Sequence, residues 1–155
     1  MYEKLFPHQR KGIEWLWSIH RQDAGGILAD DMGLGKTIQI ISFLRGLFEA
    51  KAIHAVLIVM PKVVLTNWAN EFDRWYPDVS VKTIHGGSVP QRQRDIKDLH
   101  KRGGVGLTTY GIYLFLVNST LNHDPPKKGL IRSNPNMFSN NGEFDWSYVI
   151  LDGTC

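Results

Sequence analysis

A chain of 155 residues has the length of one ordinary domain and can bury most of its apolar surface. Its make-up, 43% hydrophobic and 21% charged, excludes a disordered or fibrous protein, and a net charge of +3 is too small to argue for a nucleic-acid partner. The single cysteine, Cys155, excludes an internal disulfide framework, and no apolar run is long enough to span a bilayer. The opening residues lack the basic-then-apolar layout of a signal peptide, so the sequence predicts a soluble intracellular protein.

In chain order, Leu5-Phe6-Pro7-His8-Gln9 leads into a predicted helix with Ile13, Leu16 and Trp17 on one face. Pro7 falls in the first turn, where its missing N–H costs nothing. Of Trp15 and Trp17, one is expected to face inward and the other to cover the domain edge. Ile27-Leu28 reads as a short strand feeding a glycine-rich turn, and Ile38, Ile40, Ile41, Phe43, Leu44, Leu47 and Phe48 mark the helix behind it. Ala55 to Met60 is a continuous apolar run, as expected of a strand buried on both faces, and Pro61 ends it. Leu65, Trp68, Phe72 and Trp75 then recur at three- and four-residue intervals, which predicts an amphipathic helix stopped by Pro77.

Val79, Val81 and Ile84 predict another strand, closed by Gly86-Gly87. Val89 to His100 reads as a charged surface helix anchored by Ile96 and Leu99, and Gly103-Gly104 breaks it. Val105 to Thr109 is a strand, and Tyr110 to Val117 is expected to be helical. From 118 to 145 the composition turns to Asn, Ser, Pro and Gly, which predicts a long flexible surface insertion. Trp146 to Leu151 is the last strand. Alternating helical and strand signals of this kind mark an α/β domain with a parallel sheet flanked by helices.

The stretch Asp30-Asp31-Met32-Gly33-Leu34-Gly35-Lys36-Thr37 carries the chemistry. Glycines let backbone N–H groups crowd around phosphate oxygens, and the following helix N-terminus adds a partial positive charge. Lys36 is placed to reach β/γ-phosphates, and the Thr37 hydroxyl to join the shell of Mg²⁺. Asp30 stands where the strict pattern wants glycine. The plainer reading, a tight turn with a surface lysine, loses to the apolar flanks on both sides.

Asp152, at the C-terminal end of the strand Tyr148-Val149-Ile150-Leu151, sits where P-loop proteins hold the Mg²⁺ of their nucleotide. Gly153 follows it, where a glutamate would polarise the attacking water. Gln9 is either an ordinary surface glutamine or a reader of the adenine N6/N7 edge. Pro61-Lys62 and Thr108-Thr109-Tyr110 lie at strand ends and read either as half-buried structure or as the lining of a nucleic-acid strand. Arg92, Arg94, Lys97, Lys101 and Arg102 alternate with Asp95 and Asp98, the pattern of a solvated helix face.

As an ordered set these residues resemble the Swi/Snf-type DNA-dependent ATPases, a branch of the superfamily 2 helicase-like translocases. Phe6-Pro7-His8-Gln9 with Gly12 is similar to the family's adenine-reading Q motif. Ala29 to Gln39 is close to its motif I, in which an acidic residue replaces the first glycine. Pro61 to Leu65 with Asn67-Trp68 and Glu71-Phe72 resembles motif Ia, and Val149 to Asp152 the start of motif II. The Asp-Asp-Met form is similar to the repair and mitotic branch related to Cockayne syndrome group B protein.

The resemblance implies a P-loop NTPase fold in which residues 1–155 form the first RecA-like lobe, cut off within motif II. It implies ATP and Mg²⁺ as cofactors, with Gln9, Asp31, Met32, Gly33, Leu34, Gly35, Lys36 and Thr37 on the nucleotide and Thr37 and Asp152 on the metal. Pro61, Lys62, Thr108, Thr109 and Tyr110 would face double-stranded DNA in a nuclear protein with no membrane role. A second lobe would complete the machine, and its absence together with Gly153 predicts a polypeptide that hydrolyses ATP poorly. A non-catalytic nucleotide- or DNA-binding module competing with a full-length relative is the rival expectation. An unrelated P-loop kinase or small NTPase is a third, and the Gln9 and Pro61–Phe72 matches count against it.

Overall fold

The computed structural model describes residues 2–114 and 146–153. The predicted insertion at 118–145 and the last residues of the predicted 110–117 helix lie outside them, while 110–114 is helical. The chain divides into two compact units: Met1–Ala52 with Asn70–Asp78, and Ile53–Ala69 with Val79–Cys155.

The first unit is helical. A 3-10 turn at Tyr2–Lys4 precedes α1 (Pro7–Arg21), whose first position is the proline that the sequence placed there. Phe6 N–H donates to Gln9 Oε1 at 3.0 Å, half of a capping box that meets one of the orphan donors of the helix start. Ile13 and Leu16 are buried, and Leu5, Ile13 and Ile38 form a small core backed by Trp17 and Trp75. Trp17 meets Phe43 edge-on at 5.5 Å, while Trp15 is the more exposed of the pair. α2 (Lys36–Glu49) buries Ile38, Ile41, Phe43, Leu44 and Leu47 at helical spacing, and α1 packs on it.

The predicted strand at Ile27-Leu28 does not form. Residues 22–35 contribute no strand, and Ile27 is 86% exposed. A strand exists only as a member of a ladder, and two apolar residues behind Gly25-Gly26 have no neighbour within this unit to supply one.

The second unit is built on a four-stranded parallel sheet of β1 (Ala55–Met60), β2 (Val81–Ile84), β3 (Gly104–Thr109) and β4 (Tyr148–Leu151), in the order β2-β3-β1-β4. β1 and β3 are buried at every position, as the unbroken apolar run of β1 predicts for that strand. β2 and β4 begin two residues later than their sequence signals, at Val81 and Tyr148. Ala55, Leu57, Val59 and Ile84 pack against Ile96 and Leu99 of α4 (Val89–Arg102), so the two apolar residues of that charged helix are its anchors. The polar face of α4 pairs within itself, Arg102 with Asp98 at 2.8 Å and Gln91 with Asp95 at 3.3 Å, which fits the solvated-face reading. α3 (Lys62–Trp75) gives its first turns to this unit, where Leu65 and Trp68 are buried, and its last turns to the helical unit, where Phe72 is.

Candidate nucleotide site

Gly33 and Gly35 both have positive φ, +84° and +78°, a region that costs an L side chain about 1–2 kcal/mol per residue. Gly35 is the N-cap of α2, and no side chain caps it. The first-turn amides of a fourteen-residue helix therefore open into the loop, the standard provision for an anion. Lys36 Nζ donates to the backbone carbonyls of Asp30 and Asp31, the latter at 3.1 Å. Both acceptors are neutral carbonyls, so these bonds leave the ammonium charge uncompensated.

Side chains from the two helices shape this loop. Gln9 Nε2 donates to the Leu34 carbonyl at 3.2 Å, and His8 Nε2 contacts the same oxygen at 3.2 Å. With His8 protonated at Nε2, both lone pairs of that carbonyl are engaged. Gln9 thus ties the start of α1 to the phosphate loop through both ends of its amide, and its Nε2 carries a second N–H that can face a base edge. Asp30 has a local reason to replace glycine: its Oδ2 accepts from Gln39 Nε2 at 2.9 Å, latching the loop to the second turn of α2. Gln39 is fully buried and lies against the bare Cα of Gly12, where an added Cβ would stand 1.8 Å from Gln39 Oε1. The composition of the loop therefore dictates a glycine twenty-odd residues upstream.

Asp152 lies just past β4. Its N–H donates to the Val59 carbonyl at 2.8 Å, and its own carbonyl accepts from Tyr110 Oη at 3.1 Å. Its carboxylate Oδ2 accepts from the Trp68 indole N–H at 2.7 Å. Burial, and then the adjacent Asp152 carboxylate, push the Tyr110 hydroxyl above its ordinary pKa, so it stays a donor at neutral pH. Tyr110, read from the sequence as a candidate DNA contact, is half-buried with its hydroxyl on the Asp152 carbonyl. Thr108 is fully buried and donates to the Ile84 carbonyl at 2.9 Å, which leaves it no surface for a DNA strand. Thr109 is buried with its hydroxyl 3.3 Å from His85 Nδ1, while Lys62 is exposed and Pro61 half-exposed. In the sequence Trp68 and Gln39 stand at helical positions and within the motif resemblances. Nothing local marks either as the partner of an acidic group.

Among the described residues no three His, Cys, Asp or Glu side chains gather into a metal cage. Thr37 in the helical unit carries a hydroxyl and Asp152 in the sheet unit a carboxylate, each an oxygen ligand of the kind that Mg²⁺ takes.

A parallel α/β sheet and a glycine-rich loop at the head of a helix define a lobe of the RecA-like P-loop kind. The chain belongs to the SNF2-related domain family, whose model matches residues 8–154. It is 44% identical over 154 residues to the mouse DNA excision repair protein ERCC-6-like and 42% identical over 154 residues to its human counterpart, in each case over 98% of this chain. The rice SNF2 domain-containing protein ENL1 is 40% identical over 153 residues. The chain spans only 11% of the mouse and human proteins and 14% of the rice one. Among solved structures, the Sulfolobus solfataricus SWI2/SNF2 ATPase core in complex with dsDNA superposes with a TM-score of 0.67 at 26% identity, covering 98% of this chain and 32% of that one.

Proposed function

We propose that the chain is the ATP-binding N-terminal lobe of a Swi/Snf-type DNA translocase that serves chromatin remodelling or DNA repair in the nucleus. The observation that carries this reading is the phosphate loop, with left-handed Gly33 and Gly35 ahead of an uncapped helix and Lys36 held only by loop carbonyls. Excision-repair relatives above 40% identity and a neighbour solved on double-stranded DNA support it.

In this reading Lys36 exchanges the carbonyls of Asp30 and Asp31 for β/γ-phosphate oxygens. The backbone from Asp31 through Met32, Gly33 and Leu34 to Gly35 wraps the phosphates, and Gln9 offers its remaining N–H to the adenine. Thr37 and Asp152 hold Mg²⁺, whose contribution is to neutralise phosphate charge. Pro61 and Lys62 lead the candidate contacts to duplex DNA. Gly153 leaves no carboxylate beside Asp152 to orient water. Without that carboxylate the lobe binds ATP and turns it over slowly.

Titrating the protein with a fluorescent ATP analogue in Mg²⁺, beside an ATPase assay with and without duplex DNA, tests the reading. Binding that Lys36→Ala weakens about tenfold or more is expected, without DNA-stimulated turnover; failure of the unaltered chain to bind would overturn it. A Cβ at Gly153 would meet nothing within 4 Å, so Gly153→Glu is tolerated by the backbone and should raise hydrolysis when a relative's second lobe is supplied. Gly153 also favours a second reading, a non-catalytic module that competes with a full-length relative. Unchanged turnover in Gly153→Glu with the second lobe present would select it.

A further inference from the structure

Three bonds fix Asp152: its N–H to Val59, its carbonyl to Tyr110, and Oδ2 to the indole of Trp68. The first two set the backbone. The third sets the carboxylate. Trp68 is 3% exposed on the second turn of α3, and its indole has one donor and no acceptor. At 2.7 Å that donor makes a charge-assisted bond to a residue 84 positions away. A carboxylate offers about four acceptor positions. One bond to Oδ2 leaves further acceptor positions on a carboxylate tied to a buried ring.

We propose that Trp68 is a positioning residue for Asp152: its buried indole N–H fixes the rotamer in which the carboxylate meets the cation of the bound nucleotide. The proposal rests on the reading of Asp152 as a magnesium ligand. Partners that orient a metal ligand typically change metal affinity about 10–100-fold when removed. A Trp68 that serves the core alone would alter folding without altering magnesium.

The test measures the Mg²⁺ concentration that half-saturates binding of a non-hydrolysable fluorescent ATP analogue to the full chain, and binding of the same analogue in EDTA. In Trp68→Phe the half-saturating Mg²⁺ concentration should rise about tenfold or more while affinity in EDTA stays unchanged. Should the smaller ring unfold the protein, Trp68→β-(3-benzothienyl)alanine keeps the shape of the indole and removes only the N–H. Asp152→Ala should raise the Mg²⁺ requirement by itself, and adding Trp68→Phe to it should raise it no further. Wild-type Mg²⁺ dependence in the donor-less variants, with Asp152→Ala shifted, overturns the positioning role alone. An unshifted Asp152→Ala overturns the magnesium reading of the site and this inference with it. Equal weakening in Mg²⁺ and in EDTA assigns Trp68 to packing and also overturns the proposal.

Discussion

Asp152 leaves a parallel ladder and its amide still donates to the neighbouring strand at 2.8 Å, whereas residues 24–35 join no ladder and are shaped by side chains reaching in from α1 and α2. The strand end is held chiefly by backbone register, which every residue of β1 and β3 helps to maintain. The loop is held by Gln9, His8 and Gln39, three polar side chains acting on two points. The difference suits the two chemistries. A metal ligand gains from a fixed direction, while a phosphate cradle must release Lys36 from its own carbonyls before it can take an anion.

Substitutions that separate the two modes of support can break this contrast. The largest effect is expected from Leu57→Ala, at the fully buried centre of β1. It should cost about 2–5 kcal/mol, read as a lowered urea midpoint at unchanged slope. A midpoint equal to that of the unaltered chain would show that the sheet is not its cooperative core. Lys36→Ala removes a charged donor worth about 1.5–3 kcal/mol toward phosphate. Nucleotide affinity should fall by an order of magnitude or more, with the urea midpoint nearly unmoved. A large stability loss there would mean that the loop is structural.

Gly12→Ala should cost about 1–3 kcal/mol by driving its Cβ into buried Gln39 and breaking the latch on Asp30. It should also weaken nucleotide binding, although residue 12 lies outside the loop. Preserved binding would show that Gln39 does not shape the cradle.

Tyr110→Phe should have the smallest effect, about 0.5–1.5 kcal/mol for one hydrogen bond. Its pH dependence has a definite sign. Burial, together with Asp152, raises the folded-state pKa of Tyr110. Its stabilising contribution is therefore complete below the unfolded value of about 10 and lost as pH rises through the higher folded value. Burial raises Tyr113 and Tyr76 in the same direction. Stability should thus decline in alkali, and Tyr110→Phe should make the decline shallower. A curve as steep as that of the unaltered chain would remove Tyr110 from this account.

Much of the fold was legible in the residues. Pro7 at a helix start, the unbroken run Ala55–Met60, and Leu65, Trp68 and Phe72 at helical spacing carry their structure in their order. Where reading failed, the missing information was a partner. Ile27 and Leu28 have strand-forming side chains and no strand to pair with. Thr108 has a hydroxyl that looked available until β2 supplied the Ile84 carbonyl.

The loop from Asp30 to Thr37 was determined by sequence alone, because glycine spacing, a lysine and a helix start are local properties of consecutive residues. The same holds for the apolar strands and for the family to which the chain belongs. Tertiary structure alone decided that Asp30 answers to Gln39, that Gly12 must stay bare, and that Asp152 is aimed by Trp68. Each of these is a bond or a close approach between residues that folding brings together across 9 to 84 positions of chain. No periodicity or composition encodes such a meeting, since its energy exists only when both partners have left water and occupy one place.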